Sequence, residues 1–283
     1  MRILVTGSNG QLGNELKQLS NQGHEFLFTD FLELDITQQV MIDGVCKEFA
    51  PHQIINCAAY TNVDRAEQEP GVAFSLNGDG PALLALGAKK CGARLLHVST
   101  DYVFSGKNYK PYVEEDVPDP AGVYARSKAA GEIKVLENNP ESLIVRTSWL
   151  YSAYGHNFVK TIRKAGRNHG ELKVVADQIG TPTWGHDLAK ALLLLAELGN
   201  QSGIVHFSNQ GVCSWYDFAL AIVEFSDIDT RVCPTDTEGY PLPSPRPYYS
   251  VLNKNKYELL TRTSIPHWRQ SLKKCIKILD EQG

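Results

Sequence analysis

The sequence predicts an α/β protein, a doubly wound parallel sheet that carries a smaller, mostly helical part. Strand-length apolar runs recur through the first half with helical stretches between them, and the first run leads directly into a glycine-spaced turn. The runs are apolar throughout instead of alternating with polar residues, as strands covered on both faces require.

Taken in order, "RILVTG" (2–7) is the first strand, rich in β-branched residues and closed by glycine. A helix is expected over 10–23, a strand over 25–30, a helix over 38–49 and a strand over 53–59. An Ala/Leu-rich helical segment runs to about Cys91, followed by the strand "RLLHVST" (94–100), a helix from Tyr124 and the strand "SLIVRTSW" (142–149). After Trp149, Gly and Pro punctuate the chain ("DQIGTPTWG", "YPLPSPRPYYS") between amphipathic helices at 215–226 and 268–280. The expected division is a dinucleotide-binding domain over 1–150 and a substrate-binding part over 151–283, with some later segments returning to the first.

The chain has 283 residues, 42% of them hydrophobic and 21% charged, which suits a folded protein and excludes disorder. A net charge of −4 gives no basic field for nucleic acid and favours a small or acidic partner. The six cysteines form no CxxC pair and the eight histidines no HExxH, so neither a disulfide framework nor a zinc site is implied. The chain opens on a strand, which leaves no room for a signal peptide. "LAKALLLLAELG" (188–199) is too short to span a bilayer and includes Lys190 and Glu197, so it reads as a buried helix and the protein as cytoplasmic.

Gly7, Gly10 and Gly13 stand at GxxGxxG spacing between the first strand and the first helix. Glycines there allow a tight turn, let backbone N–H groups approach a pyrophosphate, and put the anion on a helix N-terminus. In a first βαβ unit this marks a Rossmann-type sheet. Asp30 closes the second strand where a carboxylate takes the adenosine ribose hydroxyls, favouring NAD by repelling a 2′-phosphate; it also reads as a turn residue. Asp35 is either an N-cap or a contact to the adenine region.

Ser99, Thr100 and Asp101 end the strand 94–100, and in open α/β sheets ligands sit outside the carboxyl ends of the strands. Tyr124 and Lys128 lie four apart at the start of a helix, hence on one face. Carbonyl reduction needs such a set. A phenol of pKa about 10 becomes a usable general acid when a nearby ammonium and a cationic nicotinamide favour its phenolate. Glycine loop, strand-end hydroxyl and YxxxK, in this order, resemble the short-chain dehydrogenase/reductase superfamily over the N-terminal half.

"TGSNGQLGNEL", "NCAAYTNVDRAEQEP", "STDYVFSG", "VYARSKAAGE", "RTSWLY", "NFVKTI", "DQIGTPT" and "RPYYSVLN" narrow the match, which is similar to the dTDP-4-dehydrorhamnose reductase family from Arg2 to about Trp268. The resemblance implies reduction of the 4-keto group of a thymidine-diphosphate sugar by NADPH or NADH. It implies a catalytic set of Thr100, Tyr124 and Lys128. Cofactor contacts fall on the glycine loop (Gly7, Gly10, Gln11, Leu12, Gly13), on Asp30, Asp35 and Ile36, on Ala59, Tyr60 and Thr61, and on Tyr124 and Lys128. Substrate contacts fall on Thr100, Asp101, Tyr124 and Trp149, and Asn157 and Arg246 are added to them. Arg246, among prolines, is either a rigid bidentate donor to a diphosphate or a surface loop residue, and Trp149 either a wall for the sugar or a core aromatic.

Some members of that family are thought to dimerise around magnesium held by glutamates. Here only Glu15 matches, and His186 stands where a carboxylate is sought, so neither metal nor dimer is carried over and a monomer or homodimer is expected. Two other readings compete: a nucleotide-sugar epimerase or dehydratase on the same fold, and a catalytically silent subunit like that attached to methionine adenosyltransferase. Dehydratases usually add acidic groups beside the strand-end threonine, where only Asp101 stands, and a silent subunit has no need of the full Thr100, Tyr124, Lys128 set.

Overall fold

The structure, a computed structural model, describes residues 1–20 and 23–282. The first body is β1 (Arg2–Thr6), α1 (Gln11–Gln18), β2 (Glu25–Phe28), α2 (Gln39–Phe49) and β3 (Gln53–Asn56). The Ala/Leu-rich segment before Cys91 is not continuous. Proline stands in the first turn of two of its pieces, where the missing N–H is harmless, and divides it into α3 (Val63–Ala66), α4 (Pro70–Phe74), a π-helical turn (Ser75–Asp79) and α5 (Gly80–Cys91). Then follow β4 (Arg94–Thr100), α6 (Val123–Asn138) and β5 (Leu143–Thr147).

The strand pleat explains why these runs are apolar at every position. Ile3, Val5, Ile55, Leu96 and Val145 point to one side of the sheet, where they meet Leu12 and Leu16 of α1. Their neighbours Leu4, Ile54, Leu95 and Ile144 point to the other side, against Ile42 of α2 and Leu84 and Ala88 of α5.

Beyond β5 come β6 (Leu150–Tyr151), α7 (Phe158–Asn168), β7 (Glu171–Val175), β8 (Ile179–Gly180), β9 (Thr183–Trp184) and α8 (Gly185–Leu198). β10 (Gly203–His206), β11 (Cys213–Ser214), α9 (Trp215–Phe225), β12 (Arg231–Thr235), α10 (Asn255–Thr261) and α11 (Trp268–Glu281) complete the chain. Two of these elements return to the first sheet. β10 pairs in parallel with β5, and α8 buries Leu188, Leu192 and Leu195 against Ile3 and Val5, worth ~1.5–3 kcal/mol for each leucine. Among the described residues the sheet has six strands in the order β2-β1-β3-β4-β5-β10, all parallel.

A second core gathers Tyr151, Val159, Trp184, Phe218, Trp268 and Leu272 from α7, α9, α11 and the short strands. Those strands form the pairs β6–β9, β7–β12 and β8–β11. β6, β8, β9 and β11 have two residues each, too short for any periodicity, whereas β7 and β12 have five each and were not foreseen from the sequence. Among the described residues no helix is long and apolar enough to cross a membrane.

Candidate active site

In chain order the sheet runs outward to β2 on one side of β1 and to β3, β4 and β5 on the other, so the reversal lies between β1 and β3. Ligands of open sheets bind there, beyond the carboxyl ends. A cavity of about 360 Å³ opens at that point, lined by Gly7, Gly10, Asp30, Asp35, Ile36 and Ala59 among others.

The glycine loop could hold no larger residue at two of its positions. Gly7 has φ +64°, and a Cβ on it would lie 2.6 Å from Ala58 Cα. A Cβ on Gly13 would lie 2.4 Å from Ser8 Cα. Gly10 ends the loop as the N-cap of α1 without a side-chain cap, so the first-turn N–H groups are left for an anion. Leu12 buries its side chain in the core. Gln11 sits under the loop after β6: a Cβ on Gly155 would stand 3.0 Å from Gln11 Cγ.

Asp30 meets both readings of the sequence. Its Oδ2 accepts from Asn9 N–H at 2.8 Å and its Oδ1 from Phe31 N–H at 2.8 Å, so it braces the turn while lining the cavity. Asp35 likewise accepts from the Thr37 N–H (2.9 Å) and hydroxyl (2.7 Å) beside the cavity. Past β3, Tyr60 is held at both ends: its N–H donates to Asn77 Oδ1 at 2.8 Å and its hydroxyl to Glu69 Oε2 at 2.7 Å. Thr61 beside it is exposed.

Thr100 ends β4 opposite Thr147 of β5, accepting from Tyr102 N–H (3.2 Å) and donating to Asp101 Oδ1 (3.1 Å). Asp101 is 2% exposed, burial pushes its carboxyl up to about 7, and its Oδ2 finds no hydrogen-bond partner among the described residues. Tyr124 packs edge-on to Tyr102 at 5.7 Å.

The expected tuning of Tyr124 by Lys128 is corrected. Burial dominates and pushes the phenol up to about 12, with only the Thr100 hydrogen bond opposing it. Lys128, 2% exposed, turns its ammonium to the Val98 carbonyl at 2.7 Å, and burial pushes it down to about 8.

The added substrate contacts separate. Trp149 has φ +45°, packs against the second core and stacks on Trp215 with ring centroids 3.7 Å apart and 8° between planes, as the core-aromatic reading expects. Asn157 is occupied: it caps α7 by accepting from Lys160 N–H (3.2 Å) and donates to the Ser152 carbonyl (2.8 Å). Arg246 is latched by Asp64 Oδ2 at 2.8 Å and donates to the Ser244 carbonyl at 2.9 Å. These bonds use two of the five guanidinium N–H donors, so the pairing agrees with either reading of Arg246.

The family model for the RmlD substrate binding domain matches residues 1–281. The chain belongs to the RmlD substrate binding domain family. It is 41% identical over 278 residues to a dTDP-4-dehydrorhamnose reductase of Mycobacterium tuberculosis, covering 96% of this chain and 91% of that protein. The crystal structure of a dTDP-4-dehydrorhamnose reductase from Clostridium acetobutylicum superposes with a TM-score of 0.95 at 44% identity, over 99% of this chain and 100% of the other. That of the Bacillus anthracis enzyme, in complex with NADP, also gives 0.95, at 40% identity over 98% of this chain and 99% of the other.

For a member of the RmlD family, the surroundings of Glu15 do not suit magnesium. Its Oε1 accepts from the Ser152 hydroxyl at 2.6 Å and its Oε2 lies 3.3 Å from His186 Nδ1, a mixed set that a hard cation does not favour. The sequence reading missed two groups behind the site. Glu67 accepts from Val123 N–H at the start of α6, 56 residues further on. Asn56 and His97, cross-strand partners in β3 and β4, join below Lys128, and their only sequence signal was a polar residue in each of two buried strands.

Proposed function

We propose that this protein reduces the 4-keto group of dTDP-4-dehydro-L-rhamnose to dTDP-L-rhamnose, using NADPH with NADH as the alternative. One observation carries the reading: a chain matching named dTDP-4-dehydrorhamnose reductases almost end to end has Thr100 at the carboxyl end of β4 hydrogen-bonded to Tyr124 of α6, in the sheet whose β1–β3 crevice holds the glycine-loop cavity.

When bound, the nicotinamide supplies the hydride to the sugar's C4. The protein's part is to hold, orient and protonate. Gly7, Gly10 and Gly13 with the N-terminus of α1 take the pyrophosphate, Asp30 and Asp35 the adenosine end, and Ala59 to Thr61 with Lys128 the nicotinamide end. Thr100 donates to the keto oxygen as negative charge grows on it, and Tyr124 delivers the proton. Its phenol, pushed up to about 12, is fully protonated at neutral pH, which suits a donor. The stacked Trp149 and Trp215 form a flat apolar wall for the 6-deoxysugar. Arg246, held by Asp64 and the Ser244 carbonyl, offers its remaining N–H donors to the diphosphate.

In this reading residues 1–150 with α8 and β10 bind the dinucleotide and the rest of 151–283 binds the sugar. The protein works in the cytoplasm as a monomer or homodimer, and its six free cysteines suit a reducing compartment. The test is NADPH oxidation, followed by absorbance, on addition of freshly generated dTDP-4-dehydro-L-rhamnose with dTDP-4-dehydro-glucose as control. Oxidation with the rhamnose form alone is expected. Tight NADPH binding without oxidation would overturn the reading in favour of a silent subunit.

A further inference from the structure

Beneath Lys128 lies a buried polar chain that the proposed chemistry does not use. Asn56 and His97 are 0% exposed and Thr6 1%. The chain's proton positions follow from one obligatory donor. The backbone N–H of Ala58 can only donate, and it lies 3.0 Å from one side-chain atom of Asn56, so that atom is the amide oxygen. The same oxygen accepts from the Thr6 hydroxyl at 2.7 Å. The other Asn56 atom is therefore the NH₂ group, and it donates to His97 Nδ1 at 2.9 Å. Nδ1 must then be bare. Burial and the neighbouring Lys128 hold His97 far below its ordinary ionisation range, so the ring is neutral and its proton sits on Nε2. That N–H faces Lys128 Nζ across 3.5 Å, longer than an ordinary N–H bond, as two facing donors require.

We propose that His97 is a positioning residue that sets the charge of Lys128, by presenting a locked N–H to an amine that cannot answer it while protonated. Neutral Lys128 accepts from His97 and still donates to the Val98 carbonyl, whereas charged Lys128 has a donor opposite it. Burial lowers the Lys128 ammonium and Glu132 and Cys57 oppose it, while among the described residues His97 and the Val98 carbonyl are the groups within hydrogen-bond distance of Nζ. Glu132, one turn on, is committed to Arg146 with Nη2 to Oε2 at 2.7 Å. Cys57, past β3, is kept a thiol by burial at about 12. Tyr124, one turn back, is neutral. The amine of Lys128, which holds the nicotinamide end in the reductase reading, is thus tuned from the end of β3, beside the glycine loop. This assignment rests on the reductase reading for its purpose but not for its detection.

The test is histidine and lysine side-chain NMR on selectively labelled protein. The wild type is expected to show neutral His97 with its proton on Nε2 throughout the pH range of the folded state. Asn56→Asp replaces the donor toward His97 with an acceptor, which moves the ring proton to Nδ1 and turns a lone pair toward Lys128. The Lys128 midpoint then rises by about one pH unit or more, the equivalent of one hydrogen bond reversed, and the alkaline limb of kcat moves with it. A wild-type proton on Nδ1 overturns the proposal, as does a Lys128 midpoint that stays put after the tautomer flips. Should Asn56→Asp not fold, the wild-type tautomer decides alone. A protein with the expected tautomer but no NADPH oxidation would fail the reductase reading and leave this one standing.

Discussion

Glu67→Ala removes the cap of the helix that carries Tyr124. Gly122 precedes α6 at φ +82° and provides no side-chain cap. A Cβ there would lie 2.7 Å from Ser244 Oγ and 2.8 Å from Glu67 Oε1, and the positive φ would strain any residue with a side chain. Glu67 Oε1 fills that space and accepts from both Val123 N–H (2.8 Å) and the Ser244 hydroxyl (2.9 Å). Loss of a cap costs about 1 kcal/mol and a stranded hydroxyl about 1 kcal/mol more, so the variant should lose about 2 kcal/mol. For a chain of this size that lowers Tm by about 4–8 °C. Tyr124 is the residue after the stranded N–H, and misplacement of the proton donor costs kcat about 10-fold or more, with NADPH affinity little changed. Melting curves and steady-state kinetics read both effects. Glu67→Gln keeps an acceptor oxygen and should recover most of each. An alanine variant that melts with the wild type and turns over normally refutes the reasoning, as does a glutamine variant no better than alanine.

Tyr124→Phe should bind NADPH normally and lose kcat by about 10²–10⁴, the value of a positioned proton donor; fluorescence titration and turnover separate the two. Gly13→Ala drives a Cβ within 2.4 Å of Ser8 Cα, so the loop must shift, and titration should show NADPH bound at least about 10-fold more weakly. Glu132→Gln leaves Arg146, 1% exposed, as an unpaired buried charge; urea unfolding should show a loss of about 3–5 kcal/mol, largely restored in Glu132→Gln/Arg146→Met. Asp101, pushed from 3.8 up to about 7, binds a proton in the folded state that the unfolded chain has already lost. Its contribution to stability therefore falls as pH rises from about 4 to 7. Asp101→Asn should abolish that fall, seen as a flatter Tm against pH.

The parallel sheet was legible because each strand is covered on both faces, which writes consecutive apolar residues such as "ILV" (3–5) and "LIV" (143–145) into the chain. The glycine loop was legible for a similar reason: backbone contacts at Gly7 and Gly13 admit only one residue type, so the constraint shows as identity and spacing. Short strand pairs such as β8–β11 left no trace, because two residues carry no period. Glu67 and Arg246 were illegible as partners. Their hydrogen bonds join segments 56 and 182 residues apart, and a single carboxylate or guanidinium looks the same whether paired or free. The protonation of Tyr124 and Lys128 also escaped, since spacing shows the neighbour but not the burial that outweighs it.

The stacked indoles of Trp149 and Trp215 have an optical consequence. All four tryptophans of the chain (Trp149, Trp184, Trp215 and Trp268) lie in or against the second core, and residues 1–148 contain none. Tryptophan emission from this protein therefore comes from one half only. Two nearly parallel, stacked indoles at 3.7 Å share their excitation, which gives the pair its own circular-dichroism signature, sensitive to anything that slides between or against them. A reduced nicotinamide absorbs where indole emits, so cofactor arrival is seen as energy transfer and sugar arrival as a change in the pair. The order in which the two ligands bind can be followed without attaching a dye.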